Sequence, residues 1–199
     1  MNTRSPNLPA TSTGATRSRR SGTAAEIRGR LVEAADRLLR ERQAQAITSR
    51  DIARAAGLSD GVLYNYFADK QELLVTTLVS RLQVLLDAFS AAPSVAADIA
   101  VEDSVADLVR RTYELQVSVL PMLANLVGDP PLLHRFMTEI HQPPLGGDMF
   151  LRQVADHLAA EQRLGRIGSF DPAAAADVLV GAVLMQGLVD VLGHRTDVD

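Results

Sequence analysis

The chain has 199 residues, 47% of them apolar and 4% aromatic, no Cys, and a formal net charge of −4. Lacking Cys, it cannot form disulfides or Cys-ligated zinc or iron–sulfur centres, which fits a reducing compartment. The apolar share allows a sizeable core built mostly from Leu, Val, Ala and Ile. Charge is divided unevenly: residues 1–82 hold 13 Arg or Lys against 8 Asp or Glu, and residues 83–199 hold 7 against 16. A basic first part joined to an acidic remainder suggests that only the first part approaches a polyanion. No apolar stretch is read as a membrane span, and no apolar segment follows the N-terminal arginines as a secretory signal would require. The expectation is a soluble cytoplasmic protein with no membrane partner.

Residues 1–23 are rich in Ser, Thr, Arg, Pro and Gly and carry Arg4, Arg17, Arg19 and Arg20 without an acidic residue. They read as a disordered basic arm, which either tracks phosphates or is a solvated tail. Helical periodicity then sets in, with Ile27, Leu31, Ala34, Ala35, Leu38 and Leu39 forming one stripe over about 24–42. Thr48 caps a short second helix, with Asp51 three residues on. Gly57 ends it through a positive φ. Ser59 caps a third helix over about 59–66, and Asp69 with Glu72 opens a fourth over about 69–91.

Beyond a break at Pro93, helical stretches are expected at about 103–119, 121–128, 130–141, 148–164 and 172–192. Pro121 and Pro131 suit first-turn positions. The segment 142–147 reads as a loop, and no strand is expected. The fold class is therefore all-α with about nine helices.

The segment from Thr48 to Phe67 has the spacing of a helix-turn-helix. Small Ala53 lies where two helices touch, Gly57 allows the sharp turn, and Ile52, Leu58 and Leu63 seal the pair against the first helix. Asp60, Gly61, Tyr64 and Asn65 then face outward, and a helix with small residues at its start fits a major groove.

These residues resemble the tetracycline-repressor (TetR-like) family. The resemblance rests on Ala34-Ala35, Thr48 to Ala53, Ala56 to Ser59, Leu63-Tyr64, Tyr66-Phe67, Lys70 and Glu72 to Leu74, and covers about 24–84. It implies a DNA-binding unit at 24–84 after the arm at 1–23. A long helix would join this unit to a helical effector-binding and dimerisation part at 85–199. The implied function is a ligand-responsive transcriptional regulator, most simply a dimeric repressor on a palindromic double-stranded operator. It would be released by a small-molecule effector, with no catalytic activity, metal or cofactor.

Carried over by position, the DNA-contacting residues are Thr48, Ser49, Arg50, Ser59, Asp60, Gly61, Val62, Tyr64, Asn65, Tyr66 and Lys70. Thr48, Ser49 and Arg50 start a helix where amides and hydroxyls can hold a phosphate; Arg50 alternatively reaches a guanine edge. Asp60 either accepts from cytosine N4 or serves its helix N-terminus. Tyr64 and Tyr66 suit phosphate or thymine methyls, with packing as the other role for Tyr66. Val62 leaves only methyl contact, Asn65 suits adenine, and Phe67 suits the core. Lys70 is the one lysine in the chain. It sits in a first helical turn where a cation opposes the dipole, a poor structural position but a sensible phosphate clamp.

Gln43, Ala44, Asp60 and Val62 depart from the family pattern and bear on operator preference. Tyr113, Met122, Phe136, Met137, Met149 and Phe150 are candidate walls of an effector cavity or plain core. Small residues Ala173 to Ala176, Gly181, Ala182 and Gly187 suit a four-helix dimer seam with the helix at 148–164. His134 and His141 could share a helix face near Glu139, but no His-x-x-x-His pair supports a metal site.

Overall fold

A computed structural model describes residues 23–91, 99–143, 145 and 148–193. The expected arm (save Thr23), the break at Pro93, part of the 142–147 loop and His194 lie outside these residues. The described residues form seven α-helices and two short 3₁₀ helices, with no strand. The α-helices are α1 (Ala24–Glu41), α2 (Ser49–Ala55), α3 (Lys70–Ser90), α4 (Val101–Val127), α5 (Pro130–Ile140), α6 (Met149–Arg163) and α7 (Pro172–Gly193).

Three expected helices come out differently, which lowers the count from nine to seven. The stretch 59–66 is not an α-helix but a 3₁₀ helix, Val62–Asn65, and no side chain caps it. Gly61 precedes it, and so short a segment cannot repay helix nucleation from its own backbone bonds. The expected helices at 103–119 and 121–128 are one, α4, with Pro121 inside it. Proline forfeits one bond to the preceding turn. The helix continues because Leu115, Met122 and Leu126, on either side of exposed Pro121, stay buried in cores. Pro130 and Pro131 do open a helix, at the first turn of α5.

Local signals position the first elements. Thr23 and Glu26 form a reciprocal capping box on α1, as Thr48 and Asp51 do on α2. Asp69 accepts from the Glu72 amide at 2.7 Å, but the Glu72 carboxylate turns to the Ala68 amide at 2.6 Å. The α1 stripe buries Leu31, Ala34, Ala35, Leu38 and Leu39.

Two apolar cores result. The first unites α1, α2, the 3₁₀ helix and the front of α3, and also takes in Met122 and Leu126 of α4 and Leu132 and Phe136 of α5. The second gathers Leu86 and Phe89 of α3, Leu108 and Leu115 of α4, Leu145 ahead of α6, Val154 and Leu158 of α6, and Ala176 of α7. α3 thus contributes to both.

Two helices, Lys70–Ser90 and Pro172–Val191, are long and apolar enough to cross a membrane, which corrects the expectation that no stretch is. For α3 the reason is its service to both cores. α7 buries one side and leaves Val178, Leu184, Met185, Leu188 and Val189 exposed. Gly187 is not on that open side: a Cβ there would meet Leu120 Cδ1 and Val117 Cγ2 of α4 at 3.4 and 3.5 Å.

A buried polar cluster pins α4 to α6. Glu161, 0% exposed, pairs with Arg166 at 2.6 Å and accepts from the Ser104 hydroxyl at 2.5 Å. With its proton given to Glu161, Ser104 can only accept from His157 Nε2 at 3.1 Å, so the neutral ring is the Nε2–H tautomer. Burial first, then the Arg111 charge, holds the His157 pKa below the usual histidine value. As pH falls through about 6.5, the unfolded chain takes up this proton before the folded one. Stability from this site is full above that pH and declines below it. Urea midpoints should therefore fall between about pH 7.5 and 5, and His157→Asn should flatten this dependence; an unchanged slope in the variant refutes the assignment.

Candidate nucleic-acid interface

The turn between α2 and the 3₁₀ helix is built from both sides. Gly57 takes φ 66°, and the Leu58 amide returns to the Ala53 carbonyl at 2.9 Å. Two arginines of α1, outside its apolar stripe, hold the end of α2. Arg30 Nη2 donates to the Ala56 carbonyl at 2.5 Å, and Arg37 Nη2 to the Ala55 carbonyl at 2.9 Å. These carbonyls lack helical partners, so guanidinium donors suit them. A Cβ at Gly57 would also lie 3.2 Å from Arg30 Nη2, which would have to give by a few tenths of an ångström. Ile52, Ala53 and Leu63 are fully buried and Leu58 partly, as the motif needs.

On the outer face, Thr48 is consumed by its capping box, giving and receiving bonds with Asp51. The Thr48 hydroxyl and amide are the main reason the Asp51 pKa is lowered. Ser49 Oγ and Tyr64 Oη lie 3.1 Å apart, joining the start of α2 to the 3₁₀ helix. Arg50 Nε donates to Asp60 Oδ2 at 2.8 Å. The sequence reading considered these two residues separately and missed the pair. Both side chains are well exposed, so the pair adds little stability; its effect is to orient one guanidinium. Gly61 and Asn65 are exposed, Val62 half-buried, and Ser59 exposed without capping the 3₁₀ helix.

Tyr66 packs partly against the first core, and Phe67 is buried in it with the Arg28 guanidinium 4.6 Å from its ring centroid. Lys70 is held by backbone carbonyls. Its Nζ donates to the Ile47 carbonyl at 2.8 Å and approaches the Ala44 carbonyl at 3.5 Å. The cation answers the carbonyl end of the 3₁₀ helix Ala44–Ala46, so its position is structurally sound after all. Behind it, Arg135 of α5 reaches both Asp69 oxygens at 2.9 Å. The Glu72 amide, then this arginine, keep the Asp69 pKa low against the opposing effect of desolvation.

An apolar cavity of about 240 Å³ lies away from this face, between α3, α4, α5, α6 and α7. Met149 and Phe150 line it, as the sequence suggested. Met122 and Phe136 are buried in the first core instead, Met137 is exposed, and the Tyr113 hydroxyl donates to Asp190 at 2.7 Å. Among the described residues no group of His, Asp and Glu is placed to hold a metal.

Residues 31–76 match the model of bacterial regulatory proteins of the tetR family. An uncharacterised HTH-type transcriptional regulator of Mycobacterium tuberculosis is 34% identical over 143 residues, 72% of this chain and 64% of that protein, so the match spans less than two thirds of that relative. The HTH-type transcriptional repressor KstR2 of the same species is 47% identical over 47 residues, 24% of each chain. Among solved structures, the flavonoid-responsive regulator FrrA superposes with a TM-score of 0.60 at 25% identity, covering 85% of both chains.

Proposed function

We propose, on the premise that the N-terminal unit of this chain belongs to the tetR family of bacterial regulatory proteins, that the protein is a cytoplasmic, dimeric DNA-binding repressor released from a palindromic operator by a small molecule. The observation that carries the DNA reading is the outer face of the helix-turn-helix. There Ser49 and Arg50 are joined side chain to side chain with Tyr64 and Asp60, beside exposed Gly61 and Asn65. Ser49 and the start of α2, which Thr48 caps, are assigned to phosphate, with Ser59, Tyr64, Tyr66 and Lys70 in support. Arg50, Asp60, Gly61, Val62 and Asn65 are assigned to base edges. Residues 24–84 form the reading unit and 85–199 the effector and dimer unit.

Dimerisation is supported by the open apolar side of α7, which a second copy would cover. Two reading heads about 34–36 Å apart would meet successive major grooves. The similarity to a named repressor supports repression, and similarity to a flavonoid-responsive regulator supports effector control. α3 offers the physical link: Leu82 and Leu86 wall the cavity, while Lys70 begins the same helix beside the reading unit. An effector that favours one position of α3 by differential affinity shifts the spacing of the heads.

Selecting operator DNA from a random pool tests the reading, with the prediction of one palindrome bound far above competitor DNA at fixed salt. Binding without sequence preference would sink it. On the selected site, Arg50→Ala should cost about 1–3 kcal/mol and relax preference at one position of each half-site. Asp60→Asn should relax the same position more weakly, since it frees the arginine without removing it. Equal losses on all sequences would instead make Arg50 a phosphate contact.

A further inference from the structure

The cavity has one polar side chain in its described lining, Gln116 of α4, which is 7% exposed. Leu86, Leu115, Val119, Phe150 and Val180 are typical of the remaining walls, and no described lining residue is ionisable. Gln116 Nε2 donates to the Val180 carbonyl at 2.9 Å. A carbonyl can only accept, so this bond decides which way the amide faces. The oxygen left over, Oε1, is buried without a hydrogen-bond partner. An unpaired buried acceptor is costly. Water is a poor remedy, because a held water needs two to four polar partners and these walls offer few.

We propose that the cavity binds an uncharged, largely apolar molecule bearing one hydrogen-bond donor, a phenol or alcohol, whose O–H is received by Gln116 Oε1 as the side chains that cover this oxygen move aside. This inference rests on reading the cavity as the effector site. A carboxylate or ammonium would lose its hydration with no counter-charge in the described lining, so the walls disfavour charge. Size follows from volume. A cavity of about 150 Å³ holds benzene, so about 240 Å³ suits roughly ten non-hydrogen atoms.

Calorimetric titration of the full chain at about pH 7.5 with 2-naphthol, 2-methoxynaphthalene and 2-naphthoate tests this. Naphthol should bind, the methoxy analogue about five- to tenfold more weakly for want of a donor, and naphthoate at least about tenfold more weakly than naphthol. Gln116→Met should lower naphthol affinity to that of the methoxy analogue and leave the latter unchanged. Leu86→Trp, which fills the cavity while keeping Gln116, should abolish binding of both. Equal affinity for naphthol and its methoxy or carboxylate analogue in the unaltered protein overturns the proposal, whether or not the Gln116 variant folds. So does absence of naphthol binding, even where another compound releases the operator and so upholds effector control. Naphthol that binds as expected but leaves operator affinity unchanged supports this ligand chemistry and refutes effector control.

Discussion

Leu63→Ala is expected to destabilise the protein by about 2–5 kcal/mol and to abolish operator binding. Leu63 is fully buried in the first core although it lies in a 3₁₀ helix of four residues. So short a helix has little cohesion of its own. Its carbonyl receives both the Tyr66 and Phe67 amides at 3.0 Å, so this residue is also the backbone hub of the segment. Truncation leaves a cavity beneath the outward-facing Tyr64 and Asn65 and frees them from their register. Urea denaturation followed by far-ultraviolet circular dichroism, with DNA binding measured on the same preparation, checks both effects. Tyr64→Ala is the control: its side chain is exposed, so stability should change by no more than about 0.5 kcal/mol while DNA binding weakens. If Leu63→Ala costs less than about 1 kcal/mol, this side chain is not what anchors the reading segment.

Arg166→Met should cost about 3–5 kcal/mol, because it strands a buried carboxylate. Arg166 Nε and Nη2 both lie 2.6 Å from Glu161 Oε2, and its Nη1 donates to the Ile99 carbonyl at 2.6 Å. Glu161 is 0% exposed and retains only the Ser104 hydroxyl and the His157 contact once the guanidinium is gone. Adding Glu161→Leu should recover most of the loss, since replacing a whole buried pair by apolar groups is often close to neutral. Failure of the second substitution to rescue would place the cost in the Ile99 contact. The cluster lies on α4, α6 and the turn that follows α6, outside the helix-turn-helix, so operator affinity below the unfolding transition should hold.

The candidate interface was legible where its signals are local. Thr48 with Asp51 and Gly57 with its positive φ are stated by residues within a few positions of one another. Asp60 shows the limit. Its sequence neighbours suggested a base contact or service to a helix end, and its partner Arg50 lies ten residues away across the turn. Lys70 shows it more sharply: the dipole argument was sound for an isolated helix, but carbonyls 23 and 26 residues earlier supply what the helix withholds. Pro121 misled for a related reason. A single missing hydrogen bond is a local penalty of about 3 kcal/mol, and burial of side chains on both sides of it outweighs that.

The Thr48–Asp51 cap, the turn at Gly57 and the resemblance to the tetR family were determined by the sequence alone, because capping, turn chemistry and apolar period act over three or four residues; the helix expected from Ser59 was not among them. Tertiary structure decided the rest. It drew α4 and α5 into the first core, paired Arg50 with Asp60, gave Lys70 its carbonyls, and left Gln116, in the wall of an apolar cavity, with a buried unpartnered Oε1. Each of these depends on groups brought together from distant parts of the chain, where side-chain reach and burial, not local propensity, choose the partner.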